Sequence, residues 1–228
     1  LAIRSGNGVI LKGGSEANYT NTAIVEALQQ GLHESGLDKN AICLLTSRKD
    51  SMAMLNLEKY INLIIPRGSN ELVKFIQENT RIPVLGHADG ICHLFIDNEA
   101  DLEMALAVAL DSKIQYPAAC NAIETLLVHR DIAPVFLKKA IPLFNSNDVK
   151  LIGDERSLEL GIKHEASLED WQTEYLDLIL SIKIVDDLDE AITHIQQYSS
   201  KHTDGIITEN LSTANKFMNV VDSAGVFH

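Results

Sequence analysis

One cysteine in the sequence stands in a context that favours a reactive thiol. Cys120 follows Pro117, and residues 117–122 resemble the first turn of a helix, because proline pre-sets the backbone angle there. A thiol at a helix N-terminus lies in a positive field, which stabilises the nucleophilic thiolate. The neighbouring backbone N–H groups could stabilise the oxyanion that forms when the sulfur attacks a carbonyl. The residues therefore allow a cysteine nucleophile, with a small buried hydrophobic side chain as the alternative role.

The other cysteines and two histidines have less distinctive surroundings. Cys43 and Cys92 lie in apolar strand-like runs, which favours core positions for both thiols. His87 and His93 are candidate acid/base groups, but their spacing identifies no acidic partner, and a hydrogen-bonded structural histidine is the more ordinary role. The three cysteines form no CxxC pair, which argues against a disulfide framework and against a cysteine zinc site, so no metal is predicted.

Two glycine-containing turns could bind an anionic ligand. The first consists of Lys12, Gly13, Gly14, Ser15 and Glu16, and the second of Arg67, Gly68 and Ser69. Each follows a strand-like run and precedes a helix, which is where open α/β sheets bind ligands. Glycine lets a ligand approach the backbone, lysine can hold a ribose hydroxyl or a phosphate, and a helix N-terminus attracts an anion. Neither turn matches GxGxxG or a P-loop, so the signal rests on the repetition of the arrangement.

The elements that position these residues follow from an alternation of short β-branched runs and longer amphipathic stretches. This alternation predicts an α/β fold with a parallel sheet. Strands are predicted at 8–12, 41–45, 63–65, 83–85, 91–96, 125–129, 149–152, 178–185 and 205–208. Helices are predicted at 18–34, 52–59, from Ser69 or Asn70 onward, and at 99–111, 132–143, 188–198 and 212–220. Residues 154–170 are predicted to be irregular, and a domain boundary is predicted near 86–90.

Composition excludes several classes of function. The 228 residues include 19 Lys+Arg and 32 Asp+Glu, a formal charge of −13, which makes nucleic acid an unsuitable partner. No apolar run approaches the roughly 20 residues that cross a bilayer, and no signal peptide is recognisable, so we predict a cytoplasmic protein without a membrane partner. The chain starts at Leu1 and ends in a strand-like phrase at 225–228, which favours a segment of a longer protein.

Four phrases together resemble a known family. They are SGNGVILKGGSEA at 5–17, IIPRG at 64–68, YPAACNAIETLLVH at 116–129 and DSAGVFH at 222–228. They resemble γ-glutamyl phosphate reductase, also called glutamate-5-semialdehyde dehydrogenase, a branch of the aldehyde dehydrogenase superfamily. The phrase around Cys120 is the most specific. The motifs are most similar to those of the reductase half of pyrroline-5-carboxylate synthase and its bacterial relatives.

The resemblance implies an architecture and a reaction. It implies two Rossmann-like α/β domains, a partial NADP-binding domain over residues 1–88 and a catalytic domain over 89–228 that is incomplete at its C-terminal end. The implied reaction is the NADPH-dependent reduction of L-glutamyl 5-phosphate to L-glutamate 5-semialdehyde, with release of phosphate, in proline biosynthesis. A homo-oligomer is also implied, and the 228-residue fragment alone is not expected to be active.

The resemblance also assigns roles to residues. Cys120 matches the family nucleophile, which would carry a thioester that accepts hydride, and Asn121 with the Cys120 N–H would face the oxyanion. In the cofactor site, Lys12 and Glu16 match positions at the adenosine ribose. Gly68 and Ser69 match the turn near the pyrophosphate, and Gly13, Ser15 and Arg67 flank these positions. Glu174 matches the glutamate that holds the nicotinamide ribose, although its spacing from Cys120 is shorter than in typical aldehyde dehydrogenases.

One departure from the superfamily bears on the direction of the reaction. Oxidising aldehyde dehydrogenases carry a glutamate in a Leu-Glu-Leu-Gly-Gly phrase that activates water, and here residues 85–90 read LGHADG. The absence of that base fits a reductase, because water activation would divert a thioester to the free acid. His87 and Asp89 are candidate substitutes, which leaves an oxidising aldehyde dehydrogenase as one alternative. A non-catalytic nucleotide-binding or oligomerisation module is the other.

Overall fold

The alternation of apolar runs and amphipathic stretches produces helices and parallel strands, which confirms the predicted α/β class. The computed structural model describes residues 2–86 and 90–228, so the candidate bases His87 and Asp89 lie outside the described residues. Contacts divide the chain into two units, Leu1–Ala88 and Asp89–His228. The identity of these units as nucleotide-binding and catalytic domains stays a prediction.

The first unit contains a small parallel sheet. Its elements are β1 (Val9–Lys12), α1 (Asn18–Glu34), β2 (Ile42–Leu45), α2 (Arg48–Met54) and α3 (Asn70–Glu78). β1 pairs with β2, and α1 packs Val25 and Leu32 against Ile42. Ile64 and Val84 form a single parallel bridge in place of the two strands predicted at 63–65 and 83–85.

Serine side chains determine where two helices of this unit begin. The Ser69 hydroxyl accepts a hydrogen bond from Leu72 N at 3.4 Å, so α3 starts at Asn70 as predicted. The Ser47 hydroxyl accepts from Asp50 N at 3.0 Å, and α2 therefore starts at Arg48. The predicted helix at 52–59 is misplaced, because the cap at Ser47 starts the helix four residues earlier and it ends at Met54.

The second unit is built on a larger sheet. Its strands are β3 (Cys92–Ile96), β4 (Ile123–His129), β5 (Lys150–Gly153), β6 (His164–Glu165), β7 (Ile179–Val185), β8 (Thr203–Ile207) and β9 (Gly225–Phe227). Its helices are α4 (Leu102–Ile114), α5 (Ala133–Asn145), α6 (Glu155–Glu159), α7 (Leu188–Tyr198) and α8 (Leu211–Val220). The described strands form one seven-stranded parallel sheet in the order β6-β5-β7-β4-β3-β8-β9.

Helices cover both faces of this sheet, and successive residues of β4 alternate between them. Leu126 and Val128 join the cluster that contains Phe136 of α5. Leu127 joins the opposite cluster, which contains Phe217 of α8. This alternation follows from the two-residue period of a strand. It explains why β4 reads as a nearly continuous apolar run, as buried parallel strands do.

Residues 154–170 contain regular structure that the prediction omitted. The Asp154 carboxylate caps α6 by accepting a hydrogen bond from Ser157 N at 3.0 Å, and β6 extends the sheet beyond β5. Among the helices of residues 2–86 and 90–228, none has the length and apolar character that a bilayer crossing requires.

Candidate active site

Cys120 lies in a turn between α4 and β4. Ala119 N donates to Tyr116 O at 3.0 Å, and Ala122 N donates to Ala119 O at 2.9 Å, so two short turns follow one another. The helix start predicted at 117–122 is therefore wrong. The backbone cannot continue as a helix because β4 pairs with β3 from Ile123 and with β7 from Thr125. Cys120 and Asn121 are exposed at the surface of this turn.

Gly90 brings a distant segment of backbone against the Cys120 turn. A Cβ at Gly90 would lie 2.8 Å from Cys120 Cα and 2.6 Å from Glu174 Oε1, and it would overlap the Cys120 carbonyl oxygen. Only glycine allows this approach. Because both residues lie close to the same point, the structure places the Glu174 carboxylate beside the backbone of the candidate nucleophile. This juxtaposition within the second unit was not derivable from sequence spacing.

A fully buried ion pair lies behind the cysteine turn. Lys113 Nζ contacts Glu124 Oε2 at 2.6 Å, with side-chain exposures of 0% and 1%. Burial raises the pKa of Glu124 to about 7, although the Lys113 charge opposes that shift. Burial also lowers the pKa of Lys113, again against the influence of its partner. Sequence reasoning missed both residues, although a glutamate within the apolar run of β4 was an available signal.

The segment that carries Glu174 is attached to this ion pair. Leu176 N donates to Glu124 Oε1 at 3.3 Å. The Tyr175 hydroxyl contacts Ser181 Oγ at 2.8 Å and donates to Asp170 Oδ1 at 3.1 Å. Burial raises the pKa of Tyr175, so this hydroxyl keeps its proton. Glu174 is thus followed by two anchored residues, Tyr175 and Leu176.

Cys92 supports the Cys120 turn from inside the sheet. Its thiol is fully buried, as predicted, and donates to the Cys120 carbonyl oxygen at 3.3 Å. Burial, assisted by the charge of Asp204, raises the pKa of Cys92 to about 12, so the group remains a thiol. Cys43 differs from its predicted core position, because β2 leaves its side chain exposed at the surface.

The acidic partner of His93 is Asp204, far away in sequence. His93 Nδ1 lies 3.1 Å from Asp204 Oδ1, and the pair joins β3 to β8 in the buried part of the sheet. The Asp204 carboxylate also accepts hydrogen bonds from Ser199 and Ser223. Burial would raise the pKa of Asp204, but the hydrogen bonds from these partners and the attraction of His93 lower it. The pair is structural, which is the ordinary role expected for His93.

The first glycine turn lies at the carboxyl end of β1. Lys12 is exposed, and its ammonium donates to the Gly13 carbonyl. Glu16 is exposed in the short 3-10 turn Ser15–Ala17. A Cβ at Gly13 would collide with the side chain of Asn21, whose buried Nδ2 has no hydrogen-bond partner among the described residues.

The second glycine turn leads into α3. Gly68 has φ +152°, and a Cβ there would lie 2.9 Å from Leu72 Cδ2, so the turn requires glycine. Arg67 and Ser69 are exposed on either side of it. The Ser69 hydroxyl, besides capping α3, hydrogen-bonds the Glu71 carboxylate and lowers its pKa. Within residues 2–86 and 90–228, no cluster of three or more His, Cys, Asp and Glu side chains is arranged to hold a metal ion.

Residues 1–161 match the sequence profile of the aldehyde dehydrogenase family. The chain belongs to this family. The structure also matches a chain of known structure with a TM-score of 0.72. That chain is glyceraldehyde-3-phosphate dehydrogenase GapN from Methanocaldococcus jannaschii, in complex with NADP. Its identity is 17%, over 97% of this chain and 58% of that chain, so this likeness shows the aldehyde dehydrogenase-like fold alone.

Within the aldehyde dehydrogenase family, the chain is much more similar to proteins of one kind, named γ-glutamyl phosphate reductase. The chain is 91% identical to the γ-glutamyl phosphate reductase of Prochlorococcus marinus strain MIT 9301, over 100% of this chain and 52% of the relative. The crystal structure of γ-glutamyl phosphate reductase from Thermotoga maritima is 41% identical, with a TM-score of 0.96, over 100% of this chain and 56% of that one. The resemblance found in the sequence is confirmed, and the chain spans about half the length of the curated relatives it matches.

The expected site residues fall into two sets, one in each unit of the chain. In the second unit, Cys120 and Glu174 lie close together at Gly90, and Asn121 follows Cys120 in the same turn. In the first unit, the candidate cofactor residues form two turns. These are Lys12, Gly13, Ser15 and Glu16 at the carboxyl end of β1, and Arg67, Gly68 and Ser69 before α3. Their catalytic and binding roles stay predictions.

Proposed function

We propose that this chain carries the nucleophile and cofactor-binding residues of a reductase that converts L-glutamyl 5-phosphate into L-glutamate 5-semialdehyde with NADPH, in proline biosynthesis. The observation that carries the proposal is the exposed Cys120 with the Glu174 carboxylate beside its backbone. The relatives named γ-glutamyl phosphate reductase support it. Because the chain spans about half of those relatives, the activity is proposed for a protein of their length.

The chemistry begins at the Cys120 sulfur. The thiolate attacks the acyl carbonyl, and the bond from that carbon to the phosphate oxygen breaks as phosphate leaves with the bonding electrons. The thioester then accepts hydride at its carbonyl carbon, and breakage of the C–S bond returns the thiolate and releases the aldehyde. The Asn121 side chain and the Cys120 N–H, both in the exposed turn, would stabilise the oxyanion in each step.

The residues of the first unit fit a dinucleotide cofactor, which when bound supplies the hydride. Lys12 and Glu16 present an ammonium and a carboxylate beside a glycine turn, a combination suited to ribose hydroxyls, and the ammonium alone suits a ribose phosphate. Asn21 Nδ2 beside Gly13, which has no hydrogen-bond partner among the described residues, would be a further donor there. Ser15 would line the same turn.

Further cofactor contacts are proposed for the second glycine turn and, separately, for Glu174 of the second unit. Arg67 would supply a positive charge, and the N-terminus of the nine-residue helix α3, which follows Gly68 and Ser69, would receive the pyrophosphate. Glu174 would hold the nicotinamide ribose through its hydroxyl groups. The LGHADG sequence at 85–90, which lacks the glutamate of oxidising enzymes, favours reduction over oxidation.

Turnover tests the proposal directly. In a protein of the full length of the curated relatives, Cys120→Ser should reduce activity by at least about a thousandfold, because no other group replaces the sulfur nucleophile. Cys43→Ser, which changes another exposed cysteine, should leave activity intact. Oxidation of the semialdehyde with NADP should require phosphate. Activity without phosphate would instead identify an oxidising aldehyde dehydrogenase.

Thiol labelling tests the non-catalytic alternative without turnover. Cys120 and Cys43 are both exposed, so a difference in their alkylation rates reports the reactivity of the thiols rather than their access to the reagent. We expect iodoacetamide to modify Cys120 faster at neutral pH. Equal or slower modification of Cys120 would favour a nucleotide-binding or oligomerisation module.

The cellular setting that we propose is a homo-oligomer in the cytoplasm, with a small-molecule substrate and neither nucleic acid nor membrane as partner. The formal charge of −13 supports the exclusion of nucleic acid. Sedimentation of the protein at the length of its relatives tests the assembly, and the mass of a single chain would contradict it.

A further inference from the structure

Glu124 connects the two elements that flank the Cys120 turn. It lies on β4, which leaves the turn, and its partner Lys113 lies on α4, which enters the turn. The 2.6 Å contact between them is almost completely excluded from solvent. A buried ion pair is weak evidence for stability, since an apolar pair of similar volume often serves as well. Its geometry here points to a role in fixing the ends of the turn.

The second oxygen of Glu124 reaches the segment that carries Glu174. Glu124 Oε1 accepts a hydrogen bond from Leu176 N at 3.3 Å, and Leu176 has φ +54°, a left-handed conformation that leucine seldom adopts. Such a conformation persists where surrounding contacts hold it. Leu176 lies two residues after Glu174, so this bond restrains the backbone that immediately follows the carboxylate-bearing residue.

A second anchor, one residue earlier, restrains the same segment through Tyr175. The Tyr175 hydroxyl is held by Ser181 and Asp170, and its ring centroid lies 6.0 Å from Lys113 Nζ. Lys113 therefore lies near both anchors of the segment. With Tyr175 and Leu176 held, Glu174 reaches the point beside Gly90 where the Cys120 backbone also lies.

We propose that Glu124, together with Lys113, is a positioning residue that sets the Glu174 carboxylate beside the Cys120 turn and thereby determines how tightly the nicotinamide end of NADP(H) is held. This inference rests on the proposed function for the cofactor role of Glu174. It assigns Glu124 no contact with substrate or cofactor. Its effect on binding must therefore pass through Glu174.

A double-mutant cycle tests this dependence. In a protein of the length of the curated relatives, NADPH affinity is measured by fluorescence titration, which needs no turnover. Glu174→Gln and Glu124→Leu should each raise the Kd for NADPH by about tenfold, and the double variant should be within about twofold of either single variant. Glu124→Gln keeps an oxygen that can accept from Leu176 N, and it should restore most of the affinity.

Asp204→Asn is the matched control, because it also changes a buried carboxylate of the same unit without touching Leu176. It should leave the Kd within about twofold of wild type. The inference would be overturned if the increases in Kd caused by Glu124→Leu and Glu174→Gln multiply in the double variant. It would also be overturned if Asp204→Asn raises the Kd as much as Glu124→Leu does. If Glu124→Leu does not fold, the paired replacement of Lys113→Met with Glu124→Leu removes both buried charges and takes its place in the cycle.

The outcome also separates this inference from the proposed function. If Glu174→Gln leaves the Kd unchanged, the positioning role and the cofactor role of Glu174 are both refuted. The reductase assignment would still stand if Cys120→Ser abolishes turnover. Conversely, a protein without reductase activity that shows the expected cycle in NADPH affinity would refute the reaction and retain the positioning role.

Discussion

The Cys120 site and the glycine turn before α3 are assembled in different ways. Cys120 is surrounded by residues from separate segments, since Cys92 contacts its carbonyl oxygen and Gly90 and Glu174 lie against its backbone. The turn before α3 depends on its own neighbours, because Gly68 supplies the unusual φ and a serine caps the helix. The first arrangement requires the folded sheet, whereas the second can be recognised in a short stretch of sequence.

The two regions also differ in how their polar groups are solvated. The charged pair Lys113 and Glu124 near Cys120 is buried, whereas the side chains of Lys12, Glu16 and Arg67 are exposed. Removing a partner from a buried pair leaves an uncompensated charge, but exposed groups remain hydrated. Substitutions should therefore lower the free energy of unfolding much more around Cys120 than at the glycine turns.

The largest effect is expected for Lys113→Met. It leaves Glu124 buried without a counter-charge, which should lower the free energy of unfolding by about 3–5 kcal/mol. Urea titration followed by fluorescence of Trp171, the single tryptophan and a buried residue of this unit, measures the change. Lys183→Met is the control, since its pair with Glu190 is 25% and 35% exposed and should cost less than about 1 kcal/mol. Similar losses in both variants would remove the proposed distinction between buried and exposed pairs.

Alanine at two glycines compares the regions directly. Gly90→Ala should lower the free energy of unfolding by about 2 kcal/mol, because the added methyl group would overlap backbone atoms of Cys120 that cannot move aside. Gly68→Ala should cost about 1 kcal/mol, mainly for its backbone angle, because the Leu72 side chain can rotate away. Hydrogen exchange read on peptides from each turn measures both. A larger effect at Gly68 would contradict the comparison.

Local signals explain most of what could be predicted from the sequence. The helices Asn18–Glu34 and Leu188–Tyr198 have the predicted bounds, and the predicted cap at Ser69 is present. In these places apolar spacing and capping residues determine the structure without distant partners. The expected order of strands and helices, and with it the α/β class, follows from the same signals.

Several of the wrong or missing predictions lie where contacts between distant segments determine the structure. Proline favours a helix start at 117–122, but pairing of β4 with both neighbours replaces the helix by turns. The contact of Gly90 with Cys120 and the bond from Leu176 to Glu124 join segments far apart in the chain, so no spacing rule reveals them. Residues 154–170 are predicted to be irregular because of their acidic composition, although Asp154 is a local signal that caps α6.

Lowering the pH should destabilise the second unit through His194. Its ring packs against His93, Trp171 and Tyr198, and burial lowers its pKa to about 3. Between that value and the ordinary pKa, the unfolded chain binds more protons than the folded one. Unfolding is therefore favoured as the pH falls below about 6.5, by about 1 kcal/mol per pH unit.

His194→Phe isolates this effect, because phenylalanine keeps an aromatic ring and does not titrate. Glu124, whose pKa is raised to about 7, contributes with the opposite sign in both proteins, since its folded form retains a proton that the unfolded chain releases. Urea titrations at pH 6 and pH 5 should show a larger loss in wild type than in His194→Phe. An equal loss would exclude His194 as the source.

The smallest effect is expected at the helix caps of the first unit. Ser69→Ala should weaken α3 by about 0.5 kcal/mol, because the lost hydrogen bond is long, at 3.4 Å, and exposed. Hydrogen exchange in residues 70–78 should accelerate by about twofold. Ser47→Ala removes a shorter bond of 3.0 Å and should accelerate exchange in α2 more strongly. If Ser69→Ala instead had the larger effect, its hydroxyl would hold more than the cap, and the turn before α3 would depend on contacts beyond its own neighbours.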